Sequence, residues 1–333
     1  MPPELISVVI PAFNEAGNLP DLVARLSAAL DKIAPVWEVV LVDDGSTDGT
    51  RIALRDLNAK DPRFKAVLLS RNFGKEIAIA AGLKYAKGDA VIVMDADLQH
   101  PPEMLAVFIA RWREGYQVVY GQRRARDTDG PIRRFFSRRF YALFHALTPT
   151  ELPEGAGDFR LLDRKAVAAM NRIGERNRYN NGLFAWIGFR SIGIPYQVAE
   201  RKKGKSSWSF WNLAGFALDG ITSFSTVPLR IWSYLGLIVS LFALGYALHR
   251  IIETVLYGND VPGFPTLAVS IMFFSGVQLI SLGVLGEYVG RVYKEVKRRP
   301  LFLVADEIGL EGNVSESTKE TVVASVADRG TAQ

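Results

Sequence analysis

There is no cysteine in the 333 residues of this chain, and there are only three histidines, His100, His145 and His249. Without cysteine there can be no disulfide scaffold, no thiolate-held zinc and no thiol nucleophile. Three scattered histidines argue against a histidine-built metal centre. Neither sign of charge dominates: 40 Lys+Arg stand against 35 Asp+Glu. The chain is nonetheless 49% hydrophobic, with a mean hydropathy of +0.10. That average, beside 23% charged residues, suggests a polar domain joined to a very apolar one.

The apolar material lies near the C-terminus. Ile231–Leu248 runs 18 residues without a charge, and Phe264–Gly286 runs 23. A bilayer core takes roughly 20 apolar helical residues, so both runs predict spans, at 231–256 and 264–290, forming a two-helix transmembrane hairpin. Arg201, Lys202, Lys203, Lys205 and Arg230 precede the first run, and Arg291, Lys294, Lys297, Arg298 and Arg299 follow the second. Only Arg250 lies between them as a strong base. The positive-inside rule then puts both termini in the cytoplasm. Met1–Glu15 lacks the basic and apolar regions of a secretory signal. Residues 304–333 carry six acids against Lys319 and Arg329, a net of −4, so the remainder carries +9. The tail is expected to be disordered. The basic body suits anionic lipid headgroups, with 291–303 as a juxtamembrane segment, rather than nucleic acid.

Residues 1–205 alternate short apolar runs with helical stretches. The expected strands are Ile6–Ile10, Glu38–Val42, Lys65–Leu69, Ala90–Met94 and Gln117–Tyr120; helices are expected over Asn18–Asp31, on to about Ala59, and near Glu76–Ala86. Continuous apolar strands separated by helices predict an α/β domain with a mainly parallel sheet covered on both faces. No G-x-G-x-x-G follows a strand, which argues against an NAD-type site. Acidic residues instead close strands, at the ends where open α/β sheets bind ligands. Asp43 and Asp44 end the second strand; Asp95 and Asp97 end the fourth. In extended backbone Asp95 and Asp97 would face one bound object together, and with Gln99 they form an oxygen-rich set suited to Mg²⁺ or Mn²⁺.

The runs Val8-Val9-Ile10-Pro11-Ala12-Phe13-Asn14-Glu15, Val42-Asp43-Asp44-Gly45-Ser46-Thr47-Asp48-Gly49-Thr50, Ser70-Arg71-Asn72-Phe73-Gly74-Lys75 and Asp95-Ala96-Asp97-Leu98-Gln99-His100-Pro101-Pro102-Glu103 resemble family 2 glycosyltransferases of the Rossmann-like GT-A fold. Gly157-Asp158-Phe159-Arg160, Glu175-Arg176-Asn177-Arg178 and the double apolar run extend the resemblance to the polyisoprenyl-phosphate branch, which includes bacterial bactoprenol glucosyltransferases and dolichyl-phosphate mannose synthases. The similarity covers about residues 5–303. It implies a metal-dependent GT-A domain that uses a nucleotide sugar as donor and a polyprenyl phosphate as acceptor. Pro11, Ala12, Asn14 and Glu15 would line the nucleotide pocket, with Asp43 and Asp44 near the base or ribose. Asp95, Asp97 and Gln99 would hold the ribose–diphosphate–metal unit.

Several residues admit two readings. Lys75, at a helix start, could meet a phosphate or be an ordinary exposed lysine. Arg123 and Arg124, after the fifth strand, and Arg201 and Lys205 could bind the acceptor phosphate or be solvated charges. Asp158 could position a substrate, act as a base, or pair structurally with Arg160. In 131–148, Phe136, Phe140, Leu143 and Leu147 share one helical face, and Arg134 and Arg138 another. That pattern predicts an interfacial amphipathic helix, with a second interfacial segment over 206–230.

The leading expectation is an inverting transferase that moves a sugar, glucose first, from a UDP-sugar to undecaprenyl phosphate at the cytosolic face of a bacterial inner membrane. A downstream flippase and glycosyltransferase would use the product for cell-envelope glycan modification. Homo-oligomerisation is compatible with small residues such as Gly283 and Gly286. The alternatives are a processive polysaccharide synthase, for which Gln-x-x-Arg-Trp and further spans are missing, and a regulatory subunit of a lipid transporter.

Overall fold

The structure, a computed structural model, describes residues 4–123, 148, 153, 155–176, 178–196, 227–257 and 263–310. Its centre is an eight-stranded sheet. The strands are β1 (Leu5–Ala12), β2 (Val36–Asp43), β3 (Phe64–Leu69), β4 (Ala90–Val93), β5 (Val118–Arg123), β6 (Ala156–Asp163), β7 (Ser191–Tyr196) and β8 (Val304–Ile308), in the spatial order β7-β5-β6-β4-β1-β2-β3-β8. The pairs β1/β2, β1/β4, β2/β3 and β5/β7 are parallel. β6 runs antiparallel to both β4 and β5, and β8 antiparallel to β3. The five expected strands are all present.

Alternation along the strands builds a core on each face. Ile6, Val8 and Ile10 of β1 join Val39 and Leu41 of β2 in one cluster, while Val9 joins Val40 and Val42 in the other. The first face is covered by α1 (Leu19–Ile33), α2 (Thr50–Lys60) and α4 (Met104–Arg113). α1 shows why: Leu19, Leu22, Leu26 and Leu30 recur at helical spacing and are all buried, with a proline in its first turn. The second face carries α3 (Lys75–Tyr85), α5 (Arg164–Arg172) and α6 (Asn180–Trp186). α3 is nearly all small residues where it meets the sheet. A Cβ on Gly82 would come within 2.2 Å of the Val9 side chain, so α3 lies close against β1. That approach sets the N-terminus of α3 at the strand ends where the acidic residues gather.

Far from those ends, a polar cluster is buried between strands. Glu38 accepts Ser7 Oγ–H at 2.6 Å, the Lys87 N–H at 2.7 Å and Lys65 Nζ at 2.7 Å. Burial alone would raise the Glu38 pKa, but these donors outweigh it and hold the carboxyl below its ordinary value.

Two long helices follow, α7 (Val227–Tyr257) and α8 (Phe264–Val296). Both leave large apolar side chains bare, among them Leu237, Ile238, Phe242, Met272 and Phe273. Within α8, Ser270–Val296 is long and apolar enough to cross a membrane; in α7 the apolar stretch among the described residues is shorter, Tyr234–Ala243. One of the two expected spans is therefore supported by length and composition among the described residues.

The expected disordered tail needs a correction at its start. Val304–Ile308 forms β8 on the open edge of β3, where Arg55 meets Asp306 at 2.6 Å and Tyr85 Oη donates to Glu307 at 2.6 Å. The acidity of the whole 30-residue segment hid a short apolar start: Phe302, Val304 and Ile308 all pack against the core clusters. The remainder of the tail, 311–333, lies outside the described residues, as do Arg124, Arg201, Lys205, the expected interfacial helix over 131–147 and the interfacial segment up to 226.

Candidate functional site

The ends of β1 and β2 lead into loops tied together through side chains. The Asn14 N–H donates to Ser46 Oγ at 2.9 Å, and the Thr47 N–H returns to Asn14 Oδ1 at 2.9 Å. The Glu15 N–H donates to Thr50 Oγ1 at 3.0 Å. Asn14 has φ of +57°, a left-handed conformation that asparagine tolerates better than most side chains. Of the four residues expected at a nucleotide pocket, Pro11 and Ala12 lie buried inside β1, while Asn14 and Glu15 stand in the loop at its mouth.

Asp43 and Asp44, expected near the base or ribose, both take hydrogen bonds within the loops. The Asp43 side chain is fully buried, and it accepts Arg51 Nε at 2.8 Å and the Ser46 N–H at 3.2 Å. Asp44 accepts the N–H groups of Phe73 and Gly74 at 2.7 and 2.9 Å. Burial pushes the Asp44 carboxyl above its ordinary pKa, against the pull of those two N–H groups. Both acids brace the loops. The backbones also touch: Gly45, at φ +75°, has room for no Cβ, since one would lie 2.4 Å from the Arg71 carbonyl carbon. Asp44 thus takes up the N–H groups of the loop immediately before α3.

β4 stops at Val93, and Asp95 to Gln99 form a turn. Asp95 and Asp97 therefore do not share an extended face as expected. The turn is held by its own polar groups. The Gln99 N–H donates to Asp97 Oδ1 at 3.1 Å, Leu98 takes φ +59°, and the Asp95 N–H donates to His100 Nδ1 at 3.1 Å. An accepting Nδ1 means a neutral ring, and burial lowers the His100 pKa in agreement. The ring stacks on Phe159 with centroids 4.6 Å apart and meets Tyr196 edge-on. His100 and Tyr196 are residues that the sequence reasoning missed. The signal was available for His100, which follows Gln99 within the same motif.

Lys75 joins this turn to β6. Its Nζ lies 2.7 Å from Asp95 Oδ1 and 2.8 Å from Asp158 Oδ2. Asp158 thus pairs with Lys75 rather than with Arg160. The lysine, at the first position of α3, is therefore held in two ion pairs. Desolvation would lower its pKa, but the two carboxylates raise it. Arg160 is buried, stacks over Phe184 at 3.9 Å, and donates to Asn181 Oδ1 at 2.6 Å and to the Gly157 carbonyl. Glu76, next to Lys75, accepts the Asn180 N–H at 2.9 Å; burial and the Asp158 charge push its carboxyl up to about 8. Asp158 Oδ1 and Arg160 Nε are buried atoms without a hydrogen-bond partner. Arg123 ends β5 in register with Tyr196 of β7. Burial pushes the Tyr196 hydroxyl up to about 12, with Arg123 opposing and Asp95 and Asp97 reinforcing the shift. Donor-side acids and the candidate acceptor arginine thus act on one phenol.

Among the described residues no group of three His, Cys, Asp or Glu side chains is arranged to hold a metal ion. The donor set at the turn, Asp97 with Asp95 and Gln99 near it, fits an ion that takes its other ligands from phosphate oxygens and water.

The glycosyl transferase family 2 profile matches residues 7–170, and the GtrB C-terminal hairpin profile matches residues 227–292. The chain is 49% identical over 306 residues to an uncharacterized glycosyltransferase of Synechocystis sp., covering 92% of this chain and 96% of the relative. It is 42% identical over 299 residues to the bactoprenol glucosyl transferase of Shigella phage SfII, covering 90% and 97%. Among solved structures, the mannosyltransferase PcManGT of Pyrobaculum calidifontis, in complex with GDP-Man and Mn²⁺, has 19% identity and a TM-score of 0.46, covering 87% of each chain. With both profiles in sequence and relatives of this identity along nearly its whole length, the chain belongs to glycosyltransferase family 2, in the group that carries the GtrB C-terminal hairpin.

Proposed function

We propose that this protein is a polyprenyl-phosphate glucosyltransferase that moves glucose from UDP-glucose to undecaprenyl phosphate. The observation that carries the reading is the 42% identity, over nine-tenths of the chain, to a bactoprenol glucosyl transferase. The meeting of the β4 turn, α3 and β6 at Lys75 supports it from the chain's own geometry.

The chemistry asks little acid–base work of the protein. A phosphate monoester has a second pKa of about 6 and is largely a dianion at pH 7. In a single inverting displacement its oxygen attacks the anomeric carbon while the bond to the UDP diphosphate oxygen breaks. The protein must hold two anionic substrates together and stabilise charge on the leaving diphosphate. Asn14 and Glu15 stand at the donor's base and ribose, with Pro11 and Ala12 beneath them. Asp95, Asp97 and Gln99 would hold Mg²⁺ or Mn²⁺ with the diphosphate, the ion supplying charge neutralisation. Arg123, with Arg124, Arg201 and Lys205, binds the acceptor phosphate. Asp158, whose Oδ1 has no hydrogen-bond partner, takes the proton from an acceptor that binds as the monoanion.

On this reading α7 and α8 form a two-span hairpin in a bacterial inner membrane, with the sheet domain and both ends cytoplasmic. The segments 131–148 and 206–230 are read as the interfacial part of the chain. A flippase and a second glycosyltransferase follow in the sequence of reactions, and the hairpins of several copies associate. Purified protein incubated with radiolabelled UDP-glucose and undecaprenyl phosphate tests the activity. A single chloroform-extractable product is expected, lost with EDTA and reduced at least about 100-fold in Asp97→Ala. No lipid-linked product with any common nucleotide sugar overturns the reading.

A further inference from the structure

Lys75 stands between two carboxylates that belong to separate parts of the fold. Asp95 comes from the turn after β4 and Asp158 from β6, while Lys75 opens α3. One ammonium contacts both, at 2.7 and 2.8 Å. Carboxylates held that near each other repel unless a cation lies between them or one is protonated. The side chains of Lys75 and Asp95 are 44% and 26% exposed, that of Asp158 12%, so the bridge is open on its Asp95 side, where an arriving ion can compete for it. Asp158 keeps a second oxygen, Oδ1, with no hydrogen-bond partner, and beside it Arg160 Nε has none. The pocket between β4 and β6 is therefore balanced in charge but incomplete in hydrogen bonds.

We propose that Lys75 is the resident counter-ion of this site, its ammonium occupying the Asp95 carboxylate that a divalent cation held at the β4 turn would need, with Asp158 as its second partner. A bare divalent ion then has to displace a neighbouring lysine that is already paired. An ion arriving with a diphosphate brings negative charge that offers the ammonium a new partner, so the lysine can leave the carboxylates without being stranded. Metal and donor consequently bind together, and the protein stays largely metal-free until the nucleotide is present. The inference rests on the proposed function for the divalent ion and for the nucleotide used in one arm of its test.

The test is direct binding of Mn²⁺ to the full-length protein in detergent, read from the loss of the free Mn²⁺ electron paramagnetic resonance signal. Wild type is expected to bind Mn²⁺ alone weakly, and at least about tenfold more tightly with UDP. Lys75→Met leaves two adjacent carboxylates and no cation. It is expected to bind Mn²⁺ without nucleotide at least about tenfold more tightly than wild type. Lys75→Arg keeps the charge and the wild-type pattern. Adding Asp158→Asn to Lys75→Met removes one of the carboxylates and is expected to abolish the gain. Lys75→Gln carries the same test if the methionine variant does not fold. Nucleotide-free affinity of the charge-removing variant within twofold of wild type overturns the proposal, as does wild type that binds Mn²⁺ equally well with and without any nucleotide diphosphate. A gain in Lys75→Met beside no response to UDP leaves the counter-ion standing and refutes the choice of nucleotide.

Discussion

The β1–β2–β3 part of the sheet domain and the residues on the β6 side of the site handle buried charge in opposite ways. On the first side each buried acid is matched: Asp43 by Arg51 and a backbone N–H, Asp44 by two N–H groups, Glu38 by a lysine, a serine and an N–H. On the second, Asp158 and Arg160 each keep a buried atom without a partner. Burying a polar group without a hydrogen bond costs on the order of 1–3 kcal/mol, so such atoms are retained where something else is gained. The lesson is a division of labour. One half is complete in its own hydrogen bonds; the other is not.

Substitutions can break this contrast. The largest effect is expected from Glu38→Ala, which strands Lys65 inside the sheet and should cost about 3–5 kcal/mol. Urea or thermal unfolding of the detergent-solubilised protein measures it, and a cost under 1 kcal/mol would show that the matched side is not rigid. Asp158→Asn is expected to do the reverse. It should lower turnover about 100-fold, equivalent to about 2.7 kcal/mol in the barrier, while changing folding stability by less than about 1 kcal/mol. A loss of stability as large as that in Glu38→Ala would erase the distinction between the halves.

A smaller effect sharpens it. The Glu76 carboxyl is raised to about 8 by burial and by Asp158, so the folded protein holds a proton that the unfolded chain releases above its ordinary value near 4.5. The stability this contributes is complete below that lower value and is lost as pH rises towards 8. Unfolding free energies measured at pH 5 and pH 6 should fall further in wild type than in Glu76→Gln, by about 1 kcal/mol over that one unit. Parallel curves would mean that Glu76 is already ionised in the fold.

The matched half was also the half legible in the sequence. Runs such as Val8–Ile10 and Val39–Val42 bury both faces and cannot sit elsewhere, so strands, helices and the acidic strand ends could be read from residue type alone. The other half depends on contacts distant in sequence. Lys75 meets Asp158 across 83 residues, and no local pattern near either residue records the pairing. His100 reads locally as one more residue of a turn, and its stacking on Phe159 appears only when β6 comes alongside β4. Asp44 shows a different limit. Its position at a strand end suggested ligand binding, and the sequence did not show that its carboxylate takes two N–H groups of the loop before α3.

The strand β8 has a mechanical consequence. α8 ends at Val296, and the chain re-enters the sheet at Val304, eight residues on. A tether of that length reaches at most about 28 Å. It is also pinned midway, since Arg176 holds both Glu295 and the Arg299 carbonyl. A pivot with two fixings resists rotation as well as separation. The sheet domain therefore cannot swivel freely on the end of α8, and the direction in which its strand ends face is set by the helix that carries it.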